Sequence, residues 1–412
     1  MMKPDEPEHQ SNRESPQPFT VPAGEIAQRL LNIQTILQQK EIGGLFIVQR
    51  VDLFYFSGTA QNGFLFIPAE GEPLLFIKRY LPRARAESPL KQIVGIESIK
   101  EVPGLISDYY GQLPEVNGFE FDVLPVKTFY FYRRLFPAKD FVDGSRFILQ
   151  VRMIKSDWEI EQLERTADMS CRTFEYMQTI IRPGLSEMEF AGMFETFARK
   201  LGHGAKLRVR DFLTEGYPWH VLSGKSGGLV GLLDSPASGA GTSAAFPCGG
   251  SAKPLAPNEP IMVDLGFVLN GYHMDETRMF AIGSIPAHAL RACRAAIEIH
   301  NAVLASVKPG MTVAALFQCS LKTAESLGYA DPYLGPPGLK VTFVGHGIGL
   351  ELIEPPFIAR DKEDCLKPGM VFALEPKMVF QNEFAAGVES VFVVTETGAR
   401  LISKVPVDIF IC

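Results

Sequence analysis

Asp264 and Asp275 stand eleven residues apart in the stretch IMVDLGFVLNGYHMDETRMF, residues 261–280. Between them lies Asn270-Gly271, a dipeptide that a two-residue type I′ turn prefers because both of its positions take φ > 0. A hairpin centred there sets Leu269 opposite Tyr272, Gly266 opposite Asp275 and Asp264 opposite Thr277. Side chains alternate between faces along a strand, so the two aspartates share a face as diagonal neighbours, their Cα atoms roughly 7–8 Å apart. Two carboxylates on an otherwise apolar hairpin repel each other unless positive charge lies between them. A metal ion meets that need, and so does a salt bridge to lysine or arginine; the hairpin alone leaves both open.

Three more candidate ligands lie downstream. His346 sits among glycines in VTFVGHGIGLELIEPP (341–356), where backbone and ligand can come close. Glu375 ends the strand pattern GMVFALEP (369–376), and Glu389 is carried by the strand pattern GVESVFVV (387–394). Each has an ordinary reading, a core histidine with satisfied hydrogen bonds or a solvent-facing glutamate. Glu375 is the least ordinary, because it follows the apolar run MVFAL and precedes Pro376, which ends the strand. Four carboxylates and one imidazole together suit two divalent cations such as Mn, Co or Zn. Two metals roughly 3.5–4 Å apart can hold a hydroxide and polarise a carbonyl.

The elements that must position these residues follow from the rest of the chain. Its 412 residues exceed one ordinary core, so two domains are expected. Hydrophobic content of 46% and charged content of 21% are those of a soluble globular protein. A net charge of −7 without a long basic run argues against nucleic acid as a partner. The scattered cysteines form no C-x-x-C pair, which argues against a disulfide framework and a zinc knuckle and fits a reducing cytoplasm. The polar, proline-bearing residues 1–20 read as a disordered tail without a signal peptide. No apolar run approaches the ~18 residues of a membrane span.

Residues 21–151 form the first expected domain. Helical spacing of Ile26, Leu30, Leu31, Ile33, Ile36 and Leu37 predicts a helix from Ala23 to about Glu41. Apolar runs at 44–48, 53–58, 63–68 and 73–78, broken by Gly, Asn and Pro, read as strands. This domain shows no catalytic spacing; Asp52 and Tyr55 read as structural or subunit-contact residues. The second domain, 152–412, opens with Ser156 and Glu159, the signature of a capping box, ahead of a long amphipathic helix to about Ile181. RPGLSEMEFAGMFETFARKLG (182–202) and KPGMTVAALFQCSLKTAESLG (308–328) then share length and punctuation at an offset of 126 residues. The match predicts an internal duplication in which each half contributes helices and part of a sheet. Between the halves, residues 223–253 are rich in Gly, Ser, Ala and Pro and read as a long loop, without the spacing of a phosphate-binding loop.

Taken in order, VDLG with Asp264, GYHMDETR with Asp275, GHGIGL with His346, FALEP with Glu375 and GVES with Glu389 resemble the pita-bread metallopeptidase family of Xaa-Pro aminopeptidases, Xaa-Pro dipeptidases and methionine aminopeptidases. The resemblance covers residues 152–412. It implies an α+β chain, with a duplicated pita-bread domain preceded by a smaller α/β domain like the creatinase/prolidase N-terminal domain. It further implies two divalent metals (Mn, Co or Zn), bridged by Asp275 and Glu389, with Asp264 completing one site and His346 with Glu375 the other. Thr277 and Glu354 would support the ligands or the substrate, and Glu375 would shuttle a proton. The implied activity is metal-hydroxide attack on a peptide or related C–N bond in a cytoplasmic homodimer. The alternative is a metal-retaining binding protein, or an enzyme of other specificity, since fold does not fix function.

Several positions depart from the family's pattern. No histidine lies between Val221 and Val263, where the family has one in a Pro-His context. Ile353, ahead of Glu354, and Thr342 stand where further histidines occur. Gly387 replaces the arginine two residues before the last glutamate, and Lys377 replaces the glycine of a Glu-Pro-Gly motif. The metal ligands are kept and the substrate machinery is altered. His220, in YPWHVLSG, and His273, on the face of Asp275, are the candidates for a substitute acid or base, with core packing as the alternative.

Overall fold

The computed structural model describes residues 19–137, 139–211, 219–231 and 235–412, so most of the expected tail at 1–20 lies outside the described residues. The first helix, α1 (Ala23–Gln39), buries Ile26, Leu30, Ile33 and Leu37 along one stripe. It packs beside a six-stranded sheet of β1 (Gly44–Ile47), β2 (Gly63–Pro68), β3 (Leu74–Ile77), β4 (Ile93–Gly95), β5 (Val116–Phe119) and β6 (Asp140–Asp143), ordered β4-β3-β2-β1-β5-β6.

The run 53–58, expected as a strand, is instead the end of a helix, α2 (Arg50–Ser57). The Gln49 side chain caps it by accepting from the Val51 and Asp52 amides, and Gly58 at φ 78° closes it. A short apolar run cannot tell a buried strand from a buried helix; here the cap and the left-handed glycine decided. Helices α3 (Leu81–Glu87), α4 (Val102–Tyr110) and α5 (Val126–Leu135) complete the layer, and α6 (Ser145–Met153) leads into the second domain.

The second domain is a doubled unit. In its first half α7 (Asp157–Ile180) starts at the expected capping box, the Ser156 hydroxyl accepting from the Glu159 amide at 3.2 Å. It is followed by α8 (Glu187–Lys200), β7 (Trp219–Ser223), β8 (Ile261–Leu269) and β9 (Tyr272–Ala281). The second half repeats the helix pair as α9 (Ala287–Ser306) and α10 (Val313–Ser326). Helices α8 and α10 each have 14 residues, are capped by Ser186 and Thr312 and end at Leu201 and Leu327. Before them Gly184 and Gly310 take φ 87° and 85°, and their amides bond to Leu255 and Leu366 carbonyls at 3.0 and 2.8 Å. Equivalent turns therefore dock equivalent helices onto a later segment of each half.

The second half continues with β10 (Phe343–Gly347), β11 (Glu354–Ala359), β12 (Val371–Leu374), β13 (Lys377–Phe380), β14 (Phe384–Gly387), β15 (Ser390–Val394), β16 (Ala399–Leu401) and β17 (Ile409–Ile411). Strands β17-β9-β8-β7 form one sheet, β11-β10-β12-β15-β16 another, and β13-β14 a separate ribbon. The Glu389 amide bonds the Thr277 carbonyl at 3.0 Å, so the hairpin of one half meets the strands of the other. The first domain is tied in beside it: Arg29 Nη2 donates to the Tyr272 hydroxyl at 3.2 Å, at the start of β9.

Candidate metal centre

The hairpin has the expected register, with Leu269 opposite Tyr272, Gly266 opposite Asp275 and Asp264 opposite Thr277. Asn270 and Gly271 take φ 54° and 91° in its turn. On the other side of β8, His220 of β7 stands opposite Asp264. Both aspartates face side chains of the second half across a buried cleft between the sheets, where β10 supplies His346, the end of β12 supplies Glu375 and the entry to β15 supplies Glu389.

His346 shows what this cavity accepts. Its Nδ1 lies 3.0 Å from the Gly347 carbonyl, which can only accept, so Nδ1 carries a proton and, in the neutral ring, Nε2 presents a lone pair. That Nε2 faces Asp275 Oδ2 at 3.8 Å, Glu375 Oε1 at 3.8 Å and Glu389 Oε1 at 4.0 Å. These spacings exceed a hydrogen bond. A lone pair among carboxylate oxygens is repulsive until a proton or a cation sits among them. Among the described residues, Asp275, His346 and Glu389 offer ligand atoms that all lie within 4.8 Å of one another.

The other half of the cavity is already filled. Lys377, the first residue of β13, sends its Nζ to Glu375 Oε2 at 2.8 Å, Asp264 Oδ2 at 2.9 Å and Glu389 Oε2 at 3.1 Å. An ammonium has three donors, and all three are used. Its side chain is 2% exposed. Burial by itself would lower the Lys377 pKa, but Asp264, Glu375 and Glu389 hold it well above the ordinary lysine range. Burial likewise acts to raise Asp264, and Lys377 and His220 pull it below its usual value.

Asp275 and Glu389 behave in the opposite way. Burial, with Glu389 and Asp264 nearby, pushes Asp275 well above the carboxylate range. Burial, helped by Glu375 and Asp264 and opposed by Lys377, pushes Glu389 up to about 8. One ammonium therefore settles the Asp264 side and leaves the Asp275 side short of positive charge.

The residues present do not fit two metal ions. Glu375 and Glu389 each turn Oε2 to the ammonium and Oε1 towards His346, so both bridge a filled position and one that suits a cation. Both readings left open for the hairpin are thus realised side by side: a lysine salt bridge at Asp264 and a cation-compatible cluster at Asp275.

The remaining expected residues are distributed as follows. Thr277 donates to Glu389 Oε2 at 2.8 Å and so holds one of the bridging carboxylates. His273 shares the parity of Asp275 but is held elsewhere, its Nε2 accepting from the Arg208 amide and its Nδ1 donating to the Gly349 carbonyl, both at 3.1 Å. With both nitrogens engaged by backbone, it is a strut. Glu354 bonds Lys155 Nζ at 2.7 Å and also Arg152. That places it in a buried charge network at the domain junction, where Arg152 reaches Asp52 at 2.7 Å and Glu351 at 2.9 Å. His220 borders the cavity beside Asp264 and Lys377. Lys377 was visible in the sequence only as a departure; Pro376 breaks the strand between it and Glu375, so strand parity gives no signal for their meeting.

Residues 161–396 match the metallopeptidase family M24, and residues 29–154 match the creatinase/prolidase N-terminal domain. Fold and site thus define a creatinase/prolidase-type chain. It belongs to metallopeptidase family M24. It is 24% identical over 378 residues to the Xaa-Pro dipeptidase of Pyrococcus furiosus, covering 92% of this chain and 98% of that protein. It is also 24% identical to the uncharacterized peptidase YqhT of Bacillus subtilis, over 93% and 99% of the two chains. Among solved structures, an Xaa-Pro dipeptidase from Bacillus anthracis superposes with a TM-score of 0.79 at 23% identity, over 94% of this chain and 100% of that one. An X-Pro aminopeptidase from Thermotoga maritima superposes at 0.77 with 22% identity, over 93% and 99%. At these identities the structures show the fold.

Proposed function

We propose that this chain is a one-cation hydrolase of small peptide-like or related C–N bonded substrates, built on a scaffold that elsewhere suits two metals. The observation that carries the reading is His346, its Nε2 lone pair aimed at Asp275, Glu375 and Glu389 from 3.8–4.0 Å. A divalent cation on Asp275, His346 and Glu389 would supply Lewis-acid polarisation of a substrate carbonyl.

The protein's own groups do the rest. Glu375 stands between the ammonium and the cation position, and its Oε1 is the carboxylate oxygen placed to take or return a proton there. Thr277 keeps Glu389 oriented. Lys377, with every donor engaged, fixes the carboxylates and contacts no substrate. His220, beside Asp264, is the histidine nearest this cavity that could take the place of the missing family histidines.

Alterations around the substrate favour a second reading, binding without cleavage. Ile353 and Thr342 supply no proton where relatives of the resembled type have histidine, and no histidine lies between Val221 and Val263. Loading with Mn, Co or Zn, followed by metal counting and assay on Xaa-Pro dipeptides and simple amides, separates the two. One equivalent of metal, lost in H346A, with metal-dependent amide cleavage supports the hydrolase. Full occupancy without cleavage of any amide transfers the conclusion to the binding reading, and failure to bind metal overturns both.

A further inference from the structure

We infer that Lys377 and Gly387 together form a built-in replacement for a metal ion, closing one of two cation positions, and that removing the lysine opens a second site for a small oxygen-seeking divalent cation on Asp264, Glu375 and Glu389. This rests on the same cavity as the proposed function but concerns its other half.

Four observations support it. The ammonium makes three contacts of 2.8–3.1 Å to carboxylates drawn from both halves of the duplicated domain, the oxygen environment a hard cation takes. Two of the three, Glu375 and Glu389, also face His346 through their other oxygen, so the ammonium sits where it shares bridging carboxylates with the neighbouring cation position. Lys377 and Gly387 are direct partners across β13 and β14. A Cβ on Gly387 would lie 2.6 Å from Lys377 Cγ and 3.3 Å from its Cα, so only glycine leaves the lysine chain its path into the cavity. The nearby cation Arg278 does not compete for these oxygens: its guanidinium donates to the carbonyls of Pro406, Thr277, Glu389 and Val405 and to the Ser390 hydroxyl.

An ammonium differs from a metal in one decisive way. It satisfies charge but has no vacant coordination position, so it cannot activate a water or a carbonyl at that place. The exchange preserves the architecture of a two-cation cavity while limiting its chemistry to one.

The test is manganese stoichiometry by elemental analysis after gel filtration from excess MnCl2, on wild type, K377G and the double variant D264A/K377G. K377G should retain one equivalent more than wild type, and D264A/K377G should lose that extra equivalent. Equal stoichiometry in wild type and K377G overturns the inference, as does an extra equivalent that survives D264A. Should K377G unfold through carboxylate repulsion, millimolar Mn should restore its thermal transition, and a variant left unfolded at that concentration contradicts the proposal. The wild-type value alone judges the proposed function; only the difference between variants judges this inference.

Discussion

Lys377 and Gly387 face each other across the β13–β14 ribbon, and the lysine chain occupies the space that any side chain at 387 would need, with 2.6 Å between Lys377 Cγ and a Cβ built there. The two residues form one unit, and G387A should behave accordingly. Overpacking a buried site typically costs about 1–3 kcal/mol, so urea unfolding should show a loss of that size. On the K377G background the same alanine should add little further loss, because the clash disappears with the lysine. Additive losses in the double variant would show that the two positions are independent.

Asp264 owes its ionised state to the ammonium. In D264N the ammonium keeps Glu375 and Glu389 and the amide oxygen can still accept from it, so the loss should fall below the about 3–5 kcal/mol of a fully broken buried ion pair. H346A removes no such partner in the cation-free protein. Its thermal transition without metal should fall by the packing lost with a buried side chain, while the shift that Mn induces in wild type should vanish. Calorimetry of both variants with and without Mn separates the ammonium half of the cavity from the cation half.

At the domain junction Arg152 bonds Asp52 at 2.7 Å and Glu351 at 2.9 Å as well as Glu354. Asp52 retains Arg210 at 2.6 Å and Glu354 retains Lys155 at 2.7 Å when Arg152 is removed. Among the described residues Glu351 keeps the ion pair with Arg210 at 3.9 Å, with Arg208 farther off, and is the carboxylate most exposed to the loss. R152M should therefore destabilise by about 3–5 kcal/mol, and R152M/E351Q should regain part of it. Chemical denaturation of the pair checks this.

Acid should weaken the fold in two separable steps. His300 is buried on α9, and burial lowers its pKa from 6.5 to about 4. Between those values the unfolded chain binds a proton that the folded chain refuses, so stability falls as pH drops from 6.5 towards 4. The loss is on the order of 3 kcal/mol. Asp52 is the converse: burial would raise it, but Arg152 and Arg210 hold it at about 2. Its contribution is intact above pH 3.8 and disappears as pH falls through 2. His203 and His273, which burial also lowers to about 4, share the first step, so H300L should make it shallower and leave the second, which unfolding curves across pH will show.

Much of the site could be read from the chain because local rules decide it. The Asn270-Gly271 turn sets the hairpin register, and parity then puts Asp264 and Asp275 together. Matching caps and glycines mark the repeated helices α8 and α10. Where local rules are silent the reading stops. Parity put His273 on the face of Asp275, but parity does not report depth: two residues along a strand move a side chain by about 7 Å, enough to carry it from the cavity to the Arg208 backbone. The segment 53–58 is apolar on either assignment, and only its flanking cap and glycine make it helical. Lys377 is the largest gap. Its partner Asp264 is 113 residues away, and no period in the sequence carries a contact across that distance.

The central claim is that this cavity holds one metal ion beside one ammonium. Anomalous diffraction from crystals soaked in MnCl2 tests it most directly. The account predicts a single manganese peak bounded by His346 Nε2, Asp275 and Glu389, with Lys377 Nζ still on Asp264, Glu375 and Glu389. Two peaks roughly 3.5–4 Å apart, with the lysine swung out of the cavity, would contradict it.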